Sequence, residues 1–208
     1  MLAGGMVSDE QKRTRYLHRL RDEADRLTHL VENVLAYARL AGPRSTAHTE
    51  SVRLGDLLAR GRERLEALAQ RADMRLVVEA DEAAENASVR CNASAVEQVL
   101  LNLVDNACKY ARPAEDRRIH LRAVLDGASA ALTVRDHGPG IGPAERRRLF
   151  AAFRKSAHEA AHSAPGIGLG LALSRRLART MGADLGYTPP PDGPGAAFTL
   201  ALPLDTAP

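Results

Sequence analysis

The chain has 208 residues, of which 45% are apolar, 26% charged and 3% aromatic. That balance fits one large domain or a small domain with an appendage and excludes wholesale disorder; with no Trp and three Phe, the core must be built from Leu, Val, Ile and Ala. The 29 Lys and Arg against 26 Asp and Glu leave a net charge of +3, mixed along the chain rather than gathered into a basic stripe with aromatics, so a nucleic-acid binder is not expected.

Met1–Met6 is too short for a signal peptide and lacks a basic start. From Ser8 to Leu40 the sequence reads as one long helix. Leu17, Leu20, Ala24, Leu27, Val31, Val34 and Ala38 form an a/d seam over about three heptads, which Leu30 and Leu35 widen toward a multi-helix bundle. Such a stripe predicts self-association. Gly42-Pro43 stops the helix, and Arg44–Ser51 reads as a polar linker. The expected division is therefore 1–43, a helical segment; 44–51, a linker; and 52–208, a globular domain.

Within that domain, Val52 and Leu54 read as a short strand and Asp56–Ala72 as a helix capped by Asp56. Arg75–Ala80 and Ser88–Cys91 read as strands. Ser94–Tyr110 is a helix with Val96, Val99, Leu100, Leu103, Val104 and Ala107 on one face. Ile119–Leu125 and Ala130–Arg135 alternate as strands around Asp126-Gly127, a hairpin signal. Pro143–Phe153 reads as a short helix, Leu169–Met181 as another, and Asp184–Tyr187 and Phe198–Leu202 as the last strands. Strands and helices do not alternate strictly, so the expected fold is a two-layer α/β sandwich, a mixed sheet with helices on one face. Cys91 and Cys108 are too few for a disulfide framework, and the apolar company of Cys108 predicts a buried, reduced thiol there. No run approaches the length of a membrane span, so the expectation is a cytoplasmic segment making no membrane contact, with an anchor elsewhere in a parent protein left open.

Three constellations carry chemistry. Asn102 and Asn106 are four apart and share a helix face that Lys109 joins. An amide oxygen suits Mg²⁺, a lysine suits a phosphate, and Tyr110 can stack on a base. In the second, Asp136-His137-Gly138-Pro139-Gly140-Ile141 ends a strand in a carboxylate able to accept a hydrogen bond from an exocyclic amine, with glycines that let a ligand come close. In the third, Gly166-Ile167-Gly168-Leu169-Gly170-Leu171 enters a helix, where free backbone N–H groups suit phosphates.

In this order, the three resemble the ATP-binding catalytic domain of bacterial sensor histidine kinases, within the group that includes gyrase, Hsp90 and MutL ATPases. The resemblance covers roughly Val52 to Leu204. It implies an ATP site with Mg²⁺: Asn102 and Asn106 match the N box, whose second Asn holds the metal, while Lys109 and Tyr110 match its phosphate-contacting and adenine-stacking residues. Asp136, Gly138, Gly140 and Ile141 match the G1 box, Phe150 and Phe153 the F box, and Gly166, Gly168 and Gly170 the G2 box, with Ile167, Leu169 and Leu171 between them. Arg154 and Lys155 stand where a terminal-phosphate contact is common. Gly195, Phe198 and Pro203 resemble the closing strand. The Ser8–Leu40 helix is similar to the second helix of the dimerisation and phosphoacceptor hairpin, without the first helix and its His. The resemblance implies transfer of the γ-phosphoryl of ATP to a histidine outside this chain and relay to the receiver domain of a response regulator, in a parent that dimerises.

Departures from the family bear on this reading. Its G2-box Thr or Ser is Ile167 here, and the Thr before the closing-strand Phe is Ala197. Hydrolytic relatives have Glu where this chain has Asn102, which disfavours water activation and favours transfer to a protein nucleophile; Glu97 points elsewhere on the helix. A nucleotide-sensing module without transfer is the alternative. His158-Glu159-Ala160-Ala161-His162 also spells the zinc-peptidase pattern, but it falls where the ATP lid belongs and lacks an evident third ligand. His48, His120 and His137 are expected to be solvated or on a strand surface.

Overall fold

The computed structural model of the chain describes residues 48–152 and 168–205, with Arg13, Thr14, Tyr16, Leu17 and Leu20, which are helical and exposed. The rest of the expected Ser8–Leu40 helix, residues 44–47 of the linker, and Phe153, Arg154, Lys155, His158, His162, Gly166 and Ile167 lie outside the described residues.

Strand β1 (Glu50–Arg53) pairs antiparallel with β3 (Ser88–Cys91), so Glu50 and Ser51 of the expected linker are strand. Leu54 is not strand but the first residue of α1 (Leu54–Arg71), because its fully buried side chain starts a stripe with Leu57, Leu58, Gly61, Leu65 and Ala69. The expected Asp56 cap is replaced. The N-cap is Arg53, and Asp56 sits in the first turn, where Arg53 Nη2 donates to it at 2.8 Å. Strand β2 (Arg75–Ala80) matches expectation, whereas α2 (Glu82–Asn86) was not expected. Five residues that bury Ala84 alone give no readable period.

Helix α3 (Ala93–Tyr110) starts where the Asn92 side chain accepts the N–H of Ala95 at 2.9 Å, a cap contributing about 1 kcal/mol. Strands β4 (Arg118–Asp126) and β5 (Ser129–Arg135) form the expected hairpin. Helix α4 covers Pro143–Arg146 and does not continue to Phe153. It buries no residue, and three consecutive arginines follow Glu145, so neither packing nor charge extends it. Helix α5 (Gly170–Thr180), β6 (Asp184–Thr188) and β7 (Ala197–Pro203) complete the domain.

The five-stranded sheet has the order β2-β4-β5-β7-β6, parallel at β2–β4 and antiparallel elsewhere, the expected mixed sheet. Alternate residues line one face: Ile119, Leu121 and Ala123 in β4, Ala130, Leu132 and Val134 in β5, and Phe198, Leu200 and Leu202 in β7 are all buried. Register stacks Val134 beside Phe198 and Leu132 beside Leu200. Against this face pack α1, α3 and α5, with Val96, Val99, Leu103 and Val104 of α3 at its centre. Each such side chain contributes about 1.5–3 kcal/mol by leaving water. Burying that face of α3 leaves Asn102, Asn106 and Lys109 on its other side, between the β5–α4 loop and α5. Among the described residues no helix is long and apolar enough to cross a membrane.

Candidate nucleotide site

Helix α3 is the common wall of the site. In its middle, Asn102 Nδ2 donates to Ser174 Oγ of α5 at 3.2 Å, and a Cβ placed on Gly170 would stand 4.0 Å from Asn102 Oδ1. Asn102 thus meets the entry to α5. One turn on, Asn106 is half-buried and its amide makes no hydrogen bond among the described residues. Lys109 pairs with Asp105 along the helix, an i,i+4 contact. Tyr110, half-buried, ends α3.

The loop after β5 closes on that end. A Cβ on Gly138 would lie 2.9 Å from the Tyr110 carbonyl oxygen and 3.1 Å from Ala111 Cα, so only glycine lets the loop lie this close. Asp136 is 5% exposed, one of two buried polar residues among those described. Its Oδ1 accepts the backbone N–H of Gly138 at 2.8 Å and of Ala196 at 3.2 Å, and its own N–H donates to the Ala196 carbonyl at 3.0 Å. Oδ2 accepts no hydrogen bond among the described residues. Burial pushes the Asp136 carboxyl above the ordinary carboxylate range; the two N–H bonds and nearby His137 and Arg135 pull it down without cancelling that effect.

Gly195 makes the Asp136–Ala196 pairing possible. Its φ is +131°, and a Cβ there would fall 2.0 Å from the Asp136 carbonyl oxygen. Gly140 packs on this same Gly195 carbonyl, and Ile141 is half-buried beyond it. Gly168, Leu169, Gly170 and Leu171 lead into α5, with Leu169 buried as the N-cap and the others half-buried. Phe150 rests edge-on against Phe198, with ring centroids 6.5 Å apart.

Of the three constellations, the residues the structure describes therefore meet: the glycines of the β5–α4 loop at the end of α3, those of α5 at its middle. Two contributors went unread in the sequence. Ser174, fully buried, looks like a surface residue beside Arg175 and Arg176, yet it follows Leu173 on the packed face of α5. Ala196 is the residue that meets Asp136; Ala197 instead pairs with Arg135 and Thr188 across the sheet. Glu97 points away, as expected, into an ion pair with Arg64 at 2.6 Å. His48 is exposed. His137 is not simply solvated: its Nε2 is buried, 3.6 Å from Asp116, and its ring stands 5.3 Å from that of His120, which is half-buried on β4. Among the described residues no three His, Cys, Asp or Glu converge on a metal position.

A buried carboxylate at a strand end, with an oxygen to spare beside an amide-bearing helix, suits a polar heterocycle, and the glycine entry to α5 suits phosphates. Fold and site together define an α/β domain with a candidate nucleotide pocket. Residues 91–206 match the model of the histidine kinase-, DNA gyrase B- and HSP90-like ATPases, and the chain belongs to that family. Among curated proteins the chain is similar to sensor histidine kinases. Sensor histidine kinase MtrB of Mycobacterium bovis is 33% identical over 182 residues, 88% of this chain and 31% of MtrB. The signal transduction histidine-protein kinase/phosphatase MprB of Mycobacterium avium is 36% identical over 115 residues, 54% of this chain and 22% of MprB. Among solved structures, full-length ShkA in complex with AMPPNP superposes with a TM-score of 0.73 at 29% identity, over 97% of this chain and 40% of ShkA. The mycobacterial MprB structure gives 0.59 at 29% identity, over 76% of this chain and 98% of that one. The chain spans about a third or less of the length of these curated relatives.

Proposed function

We propose that the pocket between α3, the Asp136–Ile141 loop and the start of α5 binds Mg²⁺-ATP. The γ-phosphoryl then passes to a histidine outside this chain, and from there to the receiver domain of a response regulator. The observation that carries the reading is the Asp136 carboxylate, buried, with Oδ1 engaged by two backbone N–H groups and Oδ2 left to accept from an adenine amine. Tyr110, Gly138, Gly140 and Ile141 would border the base. Gly166, Ile167, Gly168, Leu169, Gly170 and Leu171 would turn backbone N–H groups to the phosphates, and Phe153, Arg154 and Lys155 would cover them.

The Asn106 amide, unbonded among the described residues, fits a hard cation, and Mg²⁺ there would supply charge neutralisation on the phosphates. Lys109 would exchange Asp105 for a phosphate oxygen. Asn102, fixed by Ser174, stands where hydrolytic relatives carry Glu, and nearby Glu97 is engaged by Arg64. With no carboxylate there to activate water, transfer to a protein nucleophile is favoured over hydrolysis. The kinase names of the relatives support transfer ahead of nucleotide sensing alone.

In this reading residues 1–43 contribute one helix of a dimerisation hairpin, 44–51 a linker and 52–208 the ATP-binding domain, on the cytoplasmic side of any membrane. The exposed Leu17 and Leu20 support association through that helix. The test has two stages. Calorimetric titration with Mg²⁺-AMPPNP should give saturable heat, and γ-labelled ATP should then label a polypeptide carrying the acceptor helix. Absence of heat overturns the pocket. Tight binding without label overturns the transfer.

A further inference from the structure

Between α4 with the turn that follows it, α5 and the end of β6 lies a cavity of about 490 Å³. Apart from Phe150 of the F box it shares no residue with the nucleotide site described above, and its size is that of a small-ligand site. Its walls include Arg146, Arg147, Arg175, Phe150, Tyr187 and Pro189, and no acidic side chain among the described residues. Two of the arginines are held in place rather than free. The Arg175 guanidinium lies over the Phe150 ring at 4.5 Å and that of Arg146 over the Tyr187 ring at 5.6 Å. Both rings rest in turn on Phe198. Arg146 Nε donates to the Ile141 carbonyl at 3.0 Å, which leaves its terminal nitrogens.

Arg175 is the most telling of the three. Its Nε is buried and donates to no acceptor among the described residues; its ion-pair partner, Oδ1 of Asp184, is 3.7 Å away, beyond hydrogen-bond reach. Three like charges around one hollow repel each other; two of them lie over aromatic faces, and Asp184, 3.7 Å from Arg175 Nε, offsets one charge of the three. An anion filling the hollow relieves that repulsion. The planar guanidinium fork matches a carboxylate, and Phe150, Tyr187 and Pro189 give the ligand's body an apolar wall.

We propose that this cavity is a second ligand site, which takes an organic carboxylate with an aromatic or aliphatic body gripped by Arg146, Arg147 and Arg175. One bond, from Arg146 to the Ile141 carbonyl, ties it to the loop that carries Asp136.

The full chain, with and without saturating Mg²⁺-AMPPNP, is titrated with 3-phenylpropionate while the arginine Nε–H resonances are followed. Its neutral amide and inorganic phosphate serve as comparison probes. Saturable binding of 3-phenylpropionate at about 1 mM is expected for a ligand of this size, with and without the nucleotide. Arg175→Gln and Arg147→Gln should each weaken it roughly tenfold or more, through loss of charge-assisted bonds. Arg147 is exposed and makes no hydrogen bond or ion pair among the described residues, so its variant keeps the test valid if Arg175→Gln unfolds. The proposal is overturned by absence of saturation, by equal binding of the amide, by phosphate binding as tightly as the carboxylate, by wild-type affinity in the variants, or by displacement with AMPPNP. A chain that binds 3-phenylpropionate but not AMPPNP keeps this site and loses the nucleotide reading.

Discussion

Replacing Asp136 by Asn separates what the residue does for the fold from what it does for the base. An Asn side chain keeps a carbonyl oxygen for the N–H groups of Gly138 and Ala196, now at 2.8 and 3.2 Å. At the Oδ2 position it puts an NH₂, so a donor faces the adenine amine. A hydrogen bond to a charged acceptor contributes about 1.5–3 kcal/mol, so Mg²⁺-AMPPNP affinity should fall roughly 10- to 100-fold. Burial already disfavours the ionised carboxyl, so the variant should unfold at the wild-type temperature or slightly above. Guanine presents a carbonyl where adenine presents the amine, so the preference for ATP over GTP should shrink. The pH behaviour carries the same signature. The folded carboxyl titrates above its unfolded value of about 3.9; its contribution to stability is present below that value and lost as pH rises through the folded pKa. Nucleotide affinity runs the other way and falls as the carboxylate takes up its proton. Both slopes should disappear in Asp136→Asn. Calorimetry and thermal unfolding across pH measure all of this. An Asn variant with wild-type affinity, or one whose lost affinity comes with a collapse in Tm, refutes the assignment.

Gly195→Ala should destabilise the domain by about 1–3 kcal/mol or more, since the new Cβ meets the Asp136 carbonyl at a φ of +131°. Gly127→Ala, also at positive φ but with open space around it, should cost less and leave nucleotide affinity unchanged; equal losses in Tm would sink the contact argument. Burial pushes the Cys91 thiol up to about 11 and that of Cys108 up to about 12, so iodoacetamide at neutral pH should alkylate neither until the chain unfolds; rapid native labelling followed by mass spectrometry would contradict it. Ser174→Ala removes the partner of Asn102 and should cost about 1 kcal/mol in denaturant titration, with Ser174→Thr no substitute because the site is fully buried; a neutral Ser174→Ala would mean the bond does not position Asn102.

How much of this could be read in the sequence follows from the range of the forces involved. The stripe of α3, the hairpin at Gly127 and the alternation of β4 and β5 are local consequences of burying one face, and all three lie where the pattern puts them. The edges failed where a neighbour in space decides. Leu54 belongs to α1 because it packs inward, so Arg53 rather than Asp56 is the cap, and α4 stops at Arg146 because no apolar face carries it on. In the candidate site, Asn102, Asn106 and Asp136 could be named because a helix face and a strand end confine their chemistry to a few positions. Their partners Ser174 and Ala196 lie 72 and 60 residues away, where no periodicity reaches. The same reasoning sets the arginine cavity apart. Arg146, Arg175 and Tyr187 each look like ordinary surface residues in the chain, and only the packing of α5 and β6 on Phe198 gathers the two cations around one hollow with aromatic rings beneath them. Where motif residues sit close in sequence, chemistry shows before the fold does; where a site is assembled from side chains far apart in the chain, the fold must come first.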